Sequence, residues 1–64
     1  MKLFYVIKAI SDESYVSILY FNGFSKYIND AMEFESKEDA IEYAERNFYK
    51  HFIFTIEEIY KIKE

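Results

Sequence analysis

The chain contains no cysteine and no proline, and it has a single glycine, Gly23, a single arginine, Arg46, and a single histidine, His51. Without cysteine there is no disulfide framework, no thiolate metal site and no thiol redox chemistry. One glycine builds neither a phosphate-cradling loop nor a nucleophile elbow. One arginine leaves few of the planar forks that read phosphates and base edges. The net charge is −4, from 12 acids against 8 bases, which is the opposite of the basic stripe of a nucleic-acid binder. Direct nucleic-acid binding is therefore not expected. The longest apolar run, residues 3–7, is far too short to span a membrane. Lys8 interrupts it and no small-residue cleavage site follows, so a signal sequence is not expected and the compartment read from the chain is cytoplasmic.

What is present is aromatic. Seven Phe and seven Tyr in 64 residues, within a 52% hydrophobic composition, supply ample apolar surface to bury, so disorder is excluded. The length allows one domain, residues 1–64. A chain this small gains stability from dense aromatic packing or from oligomerisation once disulfides and cysteine-based metal sites are absent.

The apolar pattern predicts strands over residues 2–10 and 15–21, with the polar turn Ser11-Asp12-Glu13-Ser14 between them. Asn22-Gly23 is the strongest turn dipeptide: either a second hairpin begins there, with residues 24–28 returning as a short strand, or the dipeptide is a bulge on one long strand. Met32-Glu33-Phe34-Glu35 alternates as an edge strand does, with Met32 and Phe34 inward. Ser36 is an N-cap with Asp39 at N3, and it opens the one clear helix. Ala40, Ile41, Ala44 and Phe48 form its apolar stripe, and Glu42 and Arg46 are an i,i+4 pair. Residues 52–62 read as the closing strand. The expected fold is α+β: a small two-layer domain in which an antiparallel sheet, β-β-(β)-α-β, carries one helix on one face.

Catalytic equipment is sparse. His51 falls in a turn with no partner visible in sequence. Glu57 and Glu58 are neighbours on a strand and point to opposite faces, so they cannot share a proton. Asp12-Glu13, Glu33/Glu35 and Glu38-Asp39 read as solvated charge. No cofactor and no enzymatic activity is expected. The aromatic strands imitate a base-stacking sheet only superficially, because Tyr5, Tyr15 and Tyr20 have few basic neighbours.

Charge is unevenly spread. Residues 30–45 hold seven acids, and Lys37 is the only base among them. Glu33, Glu35, Glu38, Asp39, Glu42 and Glu45 are therefore the expected docking face for a basic partner surface. Apolar residues also occupy both faces of three strands. Leu3, Tyr5, Ile7 and Ala9 oppose Phe4, Val6 and Ile10. Tyr15, Leu19 and Phe21 oppose Val16, Ile18 and Tyr20. Phe52, Phe54 and Ile56 oppose Ile53 and Ile59. One helix covers one face, and which face it takes is open. The other would be an apolar patch that monomers rarely expose. A homodimer or higher symmetric oligomer follows as an expectation, the homodimer first, with Phe4, Val6, Ile10, Val16, Ile18, Tyr20, Ile53 and Ile59 as interface residues.

The order FYVIK, a turn, an aromatic second strand, GFSKYINDAMEFESKEDAIEYAE and FTIEEIYKI resembles small uncharacterised ββαβ proteins encoded by phages of Gram-positive bacteria. The likeness lies in a helix-start pattern, here Asp30-Ala31, Phe34, Ser36 and Glu38-Asp39-Ala40, and in the closing Ile56-Glu57-Glu58-Ile59-Tyr60. The AT-rich codon bias implied by abundant Phe, Tyr, Ile and Lys suits such a source. The resemblance implies an accessory protein of the kind that binds and inhibits a host anti-phage protein, such as a nuclease or helicase, inside the host cytoplasm. Its motifs are structural and bring no catalytic residues. Two alternatives stand beside it: a module that sequesters a small metabolite or nucleotide between aromatic rings, and a structural or regulatory interaction domain.

Overall fold

A computed structural model describes residues 2–19, 23–48 and 50–62. Strand β1 (Lys2–Ala9) is followed by β2 (Tyr15–Val16), β3 (Phe24–Ser25), a 3-10 turn (Ile28–Asp30), helix α1 (Lys37–Asn47) and β4 (Phe54–Lys61). The strands form one antiparallel sheet in the order β3-β2-β1-β4. With α1 across one face, this is the small α+β architecture read from the sequence.

The β1–β2 turn is closed by Asp12. Its Oδ1 accepts from the Ser14 N–H at 3.2 Å and from the Ser14 hydroxyl at 2.7 Å. Glu13 takes the left-handed conformation, φ 60°, that tightens the turn. Beyond it, of the strand expected over 15–21, the described residues 15–19 form only Tyr15–Val16, and residues 20 and 21 lie outside the described residues. Ser17 ends β2: its hydroxyl donates to the Asp30 carbonyl at 2.7 Å and accepts from the Leu19 N–H at 3.1 Å. The chain is thereby turned off the sheet, and Ile18 and Leu19 are exposed. The vacated edge of β1 is taken by the segment around Phe34. Tyr5 N–H donates to the Phe34 carbonyl at 2.9 Å, and Phe34 N–H donates to the Tyr5 carbonyl at 2.8 Å. The expected edge strand at 32–35 is thus a single bridge, with Phe34 buried and Met32 packed against the core as its alternation required. Residues 24–28 contribute only Phe24–Ser25 to the sheet. Gly23 sits at φ +80°, where a side chain would be strained; its turn partner Asn22 lies outside the described residues.

Helix α1 begins as expected, with the Asp39 N–H donating to the Ser36 hydroxyl at 3.0 Å. Ala40 and Ala44 are the residues that let it lie close on the sheet, at 0% and 2% exposure. They join Ile7, Val16 and Phe34 in the core, with Tyr5, Tyr43, Phe48, Phe54 and Ile56 packed around them. The apolar stripe is rotated from the one expected. Tyr43 replaces Ile41 in the core, because a tyrosine ring reaches Phe34 at 5.4 Å between centroids. Phe48, at the helix C-cap, stacks on Phe52 at 4.4 Å and meets Phe24 at 5.7 Å.

The register assigns the two sheet faces. Tyr5, Ile7, Phe54 and Ile56 lie on the helix side. Lys2, Phe4, Val6 and Lys8 lie on the other, opposite Lys61, Ile59, Glu57 and Thr55. Val6 is wholly buried on this face, away from α1. The long polar side chains of the same face are paired with one another. Lys8 Nζ is 3.5 Å from Glu57 and 3.7 Å from Glu13 and lies 5.9 Å from the Tyr15 ring centroid. The Tyr15 hydroxyl donates to Glu57 at 3.4 Å. Lys2 pairs with Glu35 at 3.6 Å and Lys61 pairs with Glu33.

These pairings have opposite pH signatures. Bonds from Ser14 hold the Asp12 carboxyl below the usual aspartate range. Its contribution to stability is present above the unfolded-state value and is lost as pH falls through the lower folded value. The Glu57 carboxylate raises Lys8 above its ordinary value, so that contribution is lost only as pH rises through the folded value in strong alkali. Asp12→Asn keeps the acceptor and removes the charge. Its thermal midpoint is expected to lie below the parent's at neutral pH and to fall less steeply in acid, so that the two converge; parallel acid limbs would contradict the assignment.

Candidate functional site

The expected acidic face divides in two. Glu33 and Glu35 flank Phe34, which points into the helix-side core, so both lie on the far side of the sheet. There they are paired with Lys61 and Lys2. They do not join the helix acids. Glu38, Asp39, Glu42 and Glu45 remain together on the solvent side of α1, all exposed, surrounding the half-buried Ile41 in a shallow depression. Glu42 is bridged to Arg46 at 3.1 Å. Glu38, Asp39 and Glu45 have no cation within ion-pair distance among the described residues. Helical spacing produces this arrangement: Ala40 and Ala44 must face the sheet, which turns Glu38, Glu42 and Glu45 outward.

The expected interface residues are also sorted by the structure. Val6 and Val16 are at 0% and 2% exposure and contribute from within. Val16 faces the helix, because Tyr15 is the residue opposite Lys8 and its neighbour points the other way. Phe4 and Ile59 are half-buried neighbours on the uncovered face. Ile10, Ile18 and Ile53 are exposed and lie just beyond strand ends. Tyr20 lies outside the described residues.

Two apolar clefts open on the surface. One, about 350 Å³, is lined by Ile10, Ser11, His51, Phe52 and Ile53. His51 is exposed there, with no carboxylate or hydroxyl bound to its ring among the described contacts. The other, about 530 Å³, lies between Phe24, Phe48 and Phe52, with Arg46 and Asn47 at its rim. The Asn47 side-chain amide is engaged on the Tyr43 carbonyl at 2.8 Å. Sequence reasoning missed this second cleft, since its three rings come from separate elements and converge only after folding. Among the described residues no group of three His, Asp or Glu is placed to hold a metal ion, and no helix is long and apolar enough to cross a membrane. No protein-family model, curated protein or solved structure matches the chain.

Proposed function

We propose that the protein is a non-enzymatic binding module that docks the outer face of α1 on a basic surface of another protein and blocks it by stoichiometric contact. The observation that carries this is the state of the acids. Those on the sheet are neutralised by lysines, whereas Glu38, Asp39 and Glu45 on the helix have no cation partner among the described residues and surround one apolar side chain, Ile41. Complementary charge of this kind speeds encounter and fixes register, and a central apolar contact adds desolvation energy. With the resemblance to phage proteins, it favours an accessory protein acting in the host cytoplasm. Its target class is a protein with a basic groove, such as an anti-phage nuclease or helicase.

The test is capture of partners from host lysate by the tagged protein, beside a Glu38/Glu42/Glu45→Lys variant of unchanged circular dichroism. The parent is expected to retain a specific protein, and charge reversal to weaken that binding on the order of 100-fold. A folded variant that keeps every partner rejects the acidic face. If only a small molecule co-purifies, the cleft between Phe24, Phe48 and Phe52 is the functional site instead.

A further inference from the structure

Strand β4 is the long open edge of the sheet. It runs for eight residues in unbroken register with β1, without proline, glycine or bulge. Natural edges are blunted by shortness, proline or bulges, and the opposite edge, β3, is only two residues long. The β1–β4 ladder also fixes which groups are open. Tyr5 and Ala9 send their backbone groups toward Phe34 and Ser14, so the even residues of β1 bond β4. Their partners in β4 are Thr55, Glu57, Ile59 and Lys61. The N–H and C=O groups of Phe54, Ile56, Glu58 and Tyr60 therefore point outward, and no described backbone group bonds them.

We infer that this edge pairs with β4 of a second copy of the chain, antiparallel, about a two-fold axis at Ile59. The strand is self-complementary there. Ile59 meets Ile59 of the partner subunit, and Glu57 meets Lys61 of the partner subunit. Within β4 no other two-fold register sets an acid opposite a base, because side chains share a face only at even offsets and Lys61 is its only base. Centring the axis on residue 57 or 58 sets glutamate against glutamate, which is destabilising. On the uncovered face the Ile59 register aligns Phe4, Ile59, the partner's Ile59 and the partner's Phe4 in one apolar row. On the helix face it sets Ile56 opposite Ile62 of the partner subunit, and Ile62 is 81% exposed in the single chain. The result is an eight-stranded sheet with both helices on one side, and the two outer helix faces remain open. The inference does not rest on the acidic docking surface, and its test needs no other protein.

The chain has no cysteine, so one introduced thiol is unique. In a non-hydrogen-bonded antiparallel pair the Cα atoms are about 4.5 Å apart, within the roughly 4.4–6.8 Å that a disulfide spans. Under mild oxidation Ile59→Cys is expected to become a covalent dimer, and Thr55→Cys, on the same strand and face, to remain reduced. The parent is expected to sediment at twice the chain mass at micromolar concentration. Glu58→Pro, which removes an outward N–H that β1 does not use, is expected to sediment as a folded monomer. A monomeric parent, or equal cross-linking at positions 55 and 59, overturns the proposal. So does a dimer that persists in Glu58→Pro with its circular dichroism unchanged.

Discussion

Ile7→Ala is expected to lower the unfolding free energy by about 3–4 kcal/mol, from lost burial and the cavity left behind. Among the described residues Ile7 is the largest side chain with essentially no exposure, and it sits where β1, Ile56 and the alanine face of α1 meet. A domain of this size holds only about 3–10 kcal/mol in total. The variant should therefore be substantially unfolded at room temperature, as urea titration followed by far-ultraviolet circular dichroism would show. Ile18→Ala is the matched control: Ile18 is 72% exposed, and its midpoint should not move. Equal midpoints for the two variants would mean that the helix does not cover this point of the sheet.

Phe48→Ala is expected to cost about 2–3 kcal/mol, somewhat below the value for a wholly enclosed ring because Phe48 keeps some exposure. Its ring joins three others: Phe52 at 4.4 Å, Phe24 at 5.7 Å and Tyr43 at 6.4 Å between centroids. It thus fastens the end of α1 to both β3 and the approach to β4. Ile41→Ala removes an aliphatic side chain that lies among glutamates outside this cluster, and should cost less than about 1 kcal/mol. The sequence pattern alone ranks the two as equals. A larger loss for Ile41 than for Phe48, in the same titration, would restore the unrotated stripe.

The parts legible in the sequence are those set by local chemistry. Ser36 and Asp39 mark the helix start because a hydroxyl three residues before an N–H satisfies a donor the helix leaves open. Glu57 and Glu58 were separable because strand side chains alternate. The rest depended on partners distant in sequence. Nothing near Ser17 announces that its hydroxyl will bind the Asp30 carbonyl and end β2. Nothing near Ile41 shows that Phe34 will draw Tyr43 inward. The acids of residues 30–45 looked like one surface because the pattern shows charge without showing which lysines cross the sheet to meet it. Lys2 and Lys61 reach Glu35 and Glu33 from the far ends of the described chain.

The central strand β1 pairs along its whole length with β4, from Lys2 against Lys61 to Ala9 against Phe54, and every other element lies between them in the chain. That meeting closes the longest loop available, and its chain-entropy cost must be met before ladder bonds and buried side chains offset it. The β1–β2 turn and α1 need no such encounter and can form early. Folding speed is therefore governed by the docking of β4, slowly for so small a protein. Until it docks, β1 has an unpaired flank beside the half-built core, and in that interval the nascent chain is most exposed to aggregation.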